Sequence, residues 1–263
     1  MKKRIAALGL CLVLFAVSFC LGGCANPSAY TLISEADKKT AELDSYAVKI
    51  TMNIDMTLSN ETISIPETVS EIYASGMKGE NPVMRMRSVT QSAEGENEVN
   101  MYVEGGNYYI SMLGEKYQVP ANSVTENMKV DDTLDSIMAD IPQDLFEGIE
   151  IEKRAMGEKA VVILPSNSAF SEIYSDLLSD TASSLGGGDA SVELSDAKIE
   201  IVVGEDGYIS SEMVSFTMKL VMTAAATTME VTAKARVSVQ YIDPGSEVTV
   251  TAPEGYKDYQ KLE

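Results

Sequence analysis

The sequence predicts an α+β fold: a large curved antiparallel β-sheet, a half-barrel, packed around about three helices. Two observations predict it. Long runs alternate apolar and polar residues at period two, the mark of strands with one dry and one wet face. Other segments carry apolar residues at helical spacing and can cover that dry face. The order read along the chain is helix, strands, helix, short strands, helix, strands.

The N-terminus stands apart from that pattern. Met1–Arg4 are basic, and Ile5–Phe19 form an apolar run of signal-peptide length. The run ends in Leu21-Gly22-Gly23-Cys24, which resembles the lipobox of bacterial lipoproteins. That resemblance implies cleavage after Gly23 and a diacylglyceryl group on the Cys24 sulfur, with acylation of the new N-terminus. Two acyl chains hold a protein stably on a bilayer, at about 0.8 kcal/mol per buried CH₂. Residues 1–23 are therefore expected to be a signal peptide, 24–28 a lipidated tether, and 29–263 one folded domain. At ~3.3–3.6 Å per extended residue, so short a tether starts the domain within about 20 Å of the lipid, on the extracytoplasmic face of the cell membrane.

Leu32, Ile33, Ala36 and Leu43 are apolar among acids and lysines, so a first helix is expected over Tyr30–Leu43. Then the period changes. From Tyr46 to Leu58 all seven even positions are large and apolar: Tyr46, Val48, Ile50, Met52, Ile54, Met56 and Leu58. Their burial contributes about 10–20 kcal/mol, while ordering the backbone costs about 13–26 kcal/mol. Such a strand survives only within a covered sheet.

Val99, Met101 and Val103 alternate up to a turn at Gly105-Gly106-Asn107, and Tyr108, Ile110 and Met112 continue after it. Val214–Met222 and Met229–Tyr241 make two more dry faces. Asp206-Gly207 is a hairpin signal after Ile199–Val203. Shorter strands are expected at Met84–Thr90, Ile149–Glu152, Ala160–Leu164 and Val248–Thr251. Leu134, Ile137, Met138, Ile141 and Leu145 share a helix face that Pro142 bends or ends. Phe170, Ile173, Tyr174, Leu177 and Leu178 share another, and Gly186–Gly188 return the chain to the sheet.

Composition excludes much chemistry. The 263 residues carry 20 Lys+Arg against 40 Asp+Glu, a net charge of −20. Without the three cations of residues 1–23 the remainder stands at 17 against 40, or −23. That sign repels phosphate backbones, so nucleic acid is not an expected partner. There is no His, and Cys11, Cys20 and Cys24 all lie at the N-terminus. Ser-His-Asp and Cys-His sites are excluded, and no metal ligation, catalytic residue or cofactor is expected beyond the covalent lipid on Cys24. Ser75-Gly-Met-Lys78 and Ser195-Asp-Ala-Lys198 spell the Ser-x-x-Lys of penicillin-binding enzymes, but Lys-Thr-Gly and Ser-Asp-Asn are missing and both sites fall in expected strands. Asp131-Asp132-Thr-Leu-Asp135 lacks the Gly and distal Glu of a calcium loop and reads as the cap and acidic first turn of a helix.

The element order resembles the LolA/LppX-like lipoprotein fold, and the chain is most similar to Gram-positive lipoproteins of unknown function with that fold. The likeness is carried by Glu42–Met56, by the hairpin Met101–Ile110 with Gly114-Glu-Lys-Tyr117, and by Gly207–Met213 with Val239–Asp243. Tyr117 departs from it, since such proteins often carry Trp there. The resemblance implies a cavity between sheet and helices that holds acyl chains, and supplies no catalytic residues.

Many of the 15 methionines fall on dry faces, where unbranched thioethers adapt to varied apolar shapes. A hydrophobic ligand cavity is accordingly expected at Ile50, Met52, Ile54, Met56, Met101, Met218 and Met222. A void above about 300 Å³ lined by these residues would favour lipid carriage. Solid packing would favour an interaction module that binds an envelope protein through the acidic outer face and Tyr108 or Tyr109.

Overall fold

The computed structural model describes residues 27–58, 61–92, 95–120, 149–173, 189–224 and 227–262. Twelve strands in these segments make one sheet: β1 (Ser45–Leu58), β2 (Glu61–Ser75), β3 (Val83–Ser92), β4 (Gly95–Glu104), β5 (Asn107–Met112), β6 (Glu115–Pro120), β7 (Ile151–Lys153), β8 (Lys159–Ile163), β9 (Asp189–Val203), β10 (Ile209–Ala224), β11 (Thr227–Tyr241) and β12 (Gln260–Lys261). Their order is β12-β6-β5-β4-β3-β2-β1-β11-β10-β9-β8-β7. Every pairing is antiparallel except β12 on β6, and the sheet is open, with β12 and β7 at its edges.

Register keeps one set of side chains on one face across the sheet. A single row runs Ile151–Val161–Ile201–Glu212–Val239–Ile50–Ser70–Ser88–Val99–Met112 from β7 to β5. The next row on β1, β11, β10, β9 and β8 is Met52–Val237–Val214–Ile199–Ile163. We call this the inner face, because helix α1 (Pro27–Ala41) buries Ala29, Ile33 and Ala36 in the same apolar cluster. Glu212, 6 % exposed, is a buried acid on that face.

Lys38 and Lys39 in the last turn of α1 complement the helix dipole. Lys39 then reaches the β9–β10 hairpin, where its ammonium donates to the Asp206 carbonyl and lies 4.1 Å from the Tyr208 ring centre. Thr40 Oγ1 donates to the Ala36 carbonyl (2.8 Å) and accepts the Ile209 amide (3.0 Å). The hairpin end of the sheet thereby fixes where α1 stops.

Three expectations are corrected. In place of about three helices, the described residues hold one of several turns, α1, and a short one, α2 (Asn167–Ile173). The helix expected around Leu134–Leu145, and Tyr174 onward of the third, lie outside the described residues. Val248–Thr251 is not a strand. It belongs to an extended strap that leaves β11, crosses the outer face and ends as β12, with the Val248 amide donating to Ser45 Oγ and Arg85 Nη1 to the Thr251 carbonyl. Gly245 (φ +87°) begins it, and a Cβ there would sit 2.8 Å from the Tyr208 ring. Lys78 of the first Ser-x-x-Lys lies in the turn after β2 rather than in a strand.

Two long strands were not legible in full. β2 and β9 each carry a bulge, opposite Asn53 and Phe216 respectively. On β2 the inner residues are Ile63 and Ile65 before the bulge, then Thr68, Ser70, Ile72 and Ala74 after it. On β9 they pass from even-numbered Leu194 to odd-numbered Ile199 across Asp196 (φ 54°). A bulge adds a residue and shifts the alternation by one, which hides the period from the sequence.

The strap docks through tyrosines. Tyr256 packs edge-on against Tyr102 and Tyr109, both at 4.9 Å between ring centres, and Tyr259 lies 6.2 Å from Tyr109. Tyr256 OH donates to Glu104 Oε2 (2.5 Å). That bond to the carboxylate, with burial and the nearby charge, pushes the Tyr256 phenol up to about 12.

Truncation of the sealed core should be costly: Ile201→Ala, at a position 1 % exposed, is expected to lower unfolding free energy by about 2–5 kcal/mol in urea titration with little change in slope. The strap carries a pH signature. Because the folded phenol titrates above its ordinary 10.0, its contribution is complete below pH 10 and is lost as pH rises toward 12. Absorbance titration should show late-titrating tyrosines, since burial and Glu104 raise Tyr102 as well, with the C-terminal segment becoming protease-sensitive over the same range; Tyr256→Phe should reduce the late step.

Candidate functional site

The inner face has a sealed half and a half-covered half. In the sealed half, β1 and β8–β11 close with α1 and with Phe170 of α2, whose ring lies 5.9 Å from Phe216. In the half-covered half, β2–β5, Ile72, Met86, Val99, Met101, Val103 and Ile110 are only partly buried, and Met112 is 45 % exposed. Register places Ile72, Met86, Met101 and Ile110 side by side.

On β2–β5 beyond the β2 bulge, charge is confined to the other face. The inner positions of β2–β5 after the β2 bulge are Thr68, Ser70, Ile72 and Ala74; Met84, Met86, Ser88 and Thr90; Asn97, Val99, Met101 and Val103; and Tyr108, Ile110 and Met112. None is ionisable below the phenol range. Outside, Arg87 Nη2 lies 2.6 Å from Glu98 Oε2 and 3.5 Å from Glu96 Oε1. The Arg87 hydrogen bond, helped by Asn100, holds the Glu98 carboxyl below its usual range. On β9, burial pulls the Glu200 carboxyl up, but the bonds from Arg154 and Lys198 outweigh it and the net shift is downward.

Between the halves stands a ladder of hydroxyls. Ser70 Oγ donates to Ser88 Oγ at 2.9 Å, and Thr68 Oγ1 and Thr90 Oγ1 are 2.9 Å apart. Ser70 is 1 % exposed and Thr68 9 %. Sequence reasoning missed this ladder because it rests on β2, whose shifted alternation concealed the strand.

The residues singled out for a cavity are divided between these regions. Ile50, Met52 and Ile54 are buried in the sealed cluster, and Met56 and Met218 pack at its margin. Met101 is on the half-covered face. Met222 is paired in register with Met229 and Ala190. Met86, which the sequence reading passed over, neighbours Met101 directly. The lipobox residues Leu21, Gly22, Gly23 and Cys24, the Asp131–Asp135 cap and the Gly186–Gly188 joint lie outside the described residues. A separate cleft of about 360 Å³ lies where α2 meets β9–β11, lined by polar groups including Asn167, Ser171, Glu193, Ser195, Lys219 and Thr232. It contains none of the expected cavity residues.

Neither Ser-x-x-Lys forms a nucleophile–base pair. Ser195 Oγ donates to Asp196 Oδ2 (3.3 Å), while Lys198 Nζ lies 3.2 Å from Glu200 Oε2. Tyr109, proposed as a free contact surface, is already packed by the strap. Among the described residues no cluster of three or more Cys, Asp or Glu could hold a metal ion, and no helix is long and apolar enough to cross a membrane.

No protein-family model matches the chain, and no curated protein matches it. Solved structures similar to it include LprF from Mycobacterium bovis, at 14 % identity over 89 % of this chain and 100 % of that one, TM-score 0.43. They also include a LolA superfamily protein from Nitrosomonas europaea (10 % identity, 85 % and 93 % covered, TM-score 0.23). A further one is a domain named as a candidate outer membrane lipoprotein-sorting protein from Vibrio parahaemolyticus (9 %, 81 % and 92 %, TM-score 0.26). They include the LolA group that the sequence resembles. The architecture itself stands on the strand order and register above.

The two halves should differ in chemical access. Under limiting peroxide, peptide mass spectrometry is expected to find Met156 (88 % exposed) and Met112 oxidised first, Met101 later, and Met52 (3 % exposed) last. Oxidation of Met52 as fast as Met101 would contradict the sealed half.

Proposed function

We propose that this chain is a non-enzymatic lipoprotein held on the extracytoplasmic face of the cell membrane by acyl groups on Cys24. Its inner sheet face binds or carries a lipid or another hydrophobic molecule at the envelope. One observation carries the reading: β2–β5 present an uncharged, partly buried apolar surface beside a core that is fully closed. A soluble domain rarely leaves so contiguous an apolar surface without a use for it. Met86, Met101 and Met112 are suited to a ligand of variable shape, because their unbranched chains repack at little cost. Ile50, Met52, Ile54, Met56 and Met218 extend the same face toward α1, and β10 carries it on to Met222.

The anchor reading is supported by the sequence around Cys24 alone. It predicts that Cys24→Ala moves the protein from the membrane to the soluble fraction.

Organic extraction of the full-length protein, purified from membranes, followed by mass spectrometry tests the ligand. Co-purifying lipid at near-stoichiometric amount is expected, and Met101→Lys should reduce it by about tenfold, since an unpaired cation would be buried against the chain. Absence of lipid, together with no binding of acyl probes, would falsify the reading.

A further inference from the structure

We propose that the inner face selects a lipid whose polar part is uncharged and accepts hydrogen bonds, such as an acyl ester, and that Ser88 and Thr90 hold that group. The proposal rests on the reading that this face binds a lipid-like molecule, and it adds which class.

The argument begins with proton counting. Each hydroxyl pair brings two protons and uses one between its members. Ser70 spends its proton on Ser88, which leaves the Ser88 hydrogen to donate elsewhere. The Thr68–Thr90 pair likewise retains one donor. Ser70 and Thr68 are the buried members, whereas Ser88 and Thr90 are partly exposed. The spare donor of Ser88 is thus on the side of the half-covered face, with Thr90 Oγ1 beside it as donor or acceptor. A hydrogen-bond acceptor with no proton of its own suits such donors.

Position agrees with this role. Ser88 is paired with Val99 and Thr90 with Asn97 on β4, and the next row, away from the β3–β4 turn, is Met86–Met101. A chain lying along Met86, Met101 and Ile110 would leave its polar end at the ladder. Charge decides which polar end. The fifteen inner positions on β2–β5 beyond the β2 bulge include no Lys, Arg, Asp or Glu; the one acid on that face of β2 is Glu61, at the far end of the strand from the ladder. A carboxylate or phosphate seated there would lose water without gaining a counter-ion, which a neutral ester avoids. The alternative is that the ladder only stabilises strand pairing, as Ser/Thr cross-strand pairs do elsewhere.

Three probes of equal length separate these cases on the full mature chain freed of lipid: a pyrene-labelled acyl methyl ester, the corresponding free fatty acid at pH 8, and the pyrene-labelled hydrocarbon. The ester is expected to bind about tenfold tighter than the carboxylate. Ser88→Ala with Thr90→Val is expected to reduce the ester-to-hydrocarbon preference about fivefold, the worth of a hydrogen bond. Ser88→Thr, which keeps the hydroxyl, should retain it and serves if the double variant does not fold. Carboxylate binding as tight as the ester, or an unchanged preference in the double variant, overturns the proposal while leaving a hydrophobic carrier. If none of the three probes binds, the carrier reading itself falls, and the face is covered by the chain's own residues or by a protein.

Discussion

The constraint on which this structure depends is the alternation that keeps nearly all charge off the inner face of the central strands, where Glu212 is the buried exception. Side chains alternate at period two, so a slip of one residue in any strand would carry its charged set inside. Lys49, Asp55, Lys234 and Arg236 all stand one residue away from buried partners such as Ile50, Ile54, Ala235 and Val237. The register is therefore held by the cost of burying those charges as much as by the gain of burying the aliphatic residues. Where the chain needs an extra residue, on β2, on β9 and at Ser210 near the start of β10, it absorbs it in a bulge and restores the same face beyond it.

This also explains what was legible in advance. β1, β10 and β11 read clearly because their alternation is unbroken over the segments used. The β4–β5 hairpin reads because Gly105 and Gly106 take positive φ (58° and 73°), as a tight primed turn requires. β2 did not read, because Pro66, three glutamates and a phase shift in the middle mimic a loop. The strap did not read because its partners are distant: Tyr256 and Tyr259 have local sequence unlike a strand and are fixed by Tyr102 and Tyr109, some 150 residues earlier. For the site, strand alternation put the singled-out methionines on the inner face, while the division of that face was not legible. Met52 and Met101 have the same local pattern, and the packing of α1 and of Phe170 on the sealed half sets them apart.

The strap gives the outer face its own closure. Without it, Tyr102, only 3 % exposed, would face solvent between charged neighbours on β3 and β4. The tyrosine cluster meets this with rings on apolar surface and a hydroxyl directed to Glu104, a use of an amphipathic side chain at the boundary between sheet and water. It also protects an edge, since β12 takes up part of β6 that would otherwise offer unpaired backbone groups. Both faces are then managed differently: the outer by charge and a covalently attached strap, the inner by a helix over half its width.

Why the helix covers only half follows from its length. Fifteen residues at about 1.5 Å each span roughly 22 Å. The six strand spacings from β5 to β10 cover about 28–29 Å at ~4.7–4.9 Å apiece. Its C-terminal end is tied to the β9–β10 hairpin through Lys39 and Thr40, so its packing goes to β9 and β10 and their neighbours. The half built on β2–β5 must be covered by something else. Its composition favours a cover that is greasy and uncharged: Met86, Met101 and Met112 stand among Ile72, Val99, Val103 and Ile110, with no ion to neutralise beyond the β2 bulge. A rigid protein core would gain from β-branched residues with few rotamers, as in the row Val237–Val214–Ile199–Ile163. On the other half Met86 and Met101 stand in one row with Ile72 and Ile110, so unbranched thioethers that repack at little cost lie among fixed branched neighbours where α1 does not reach.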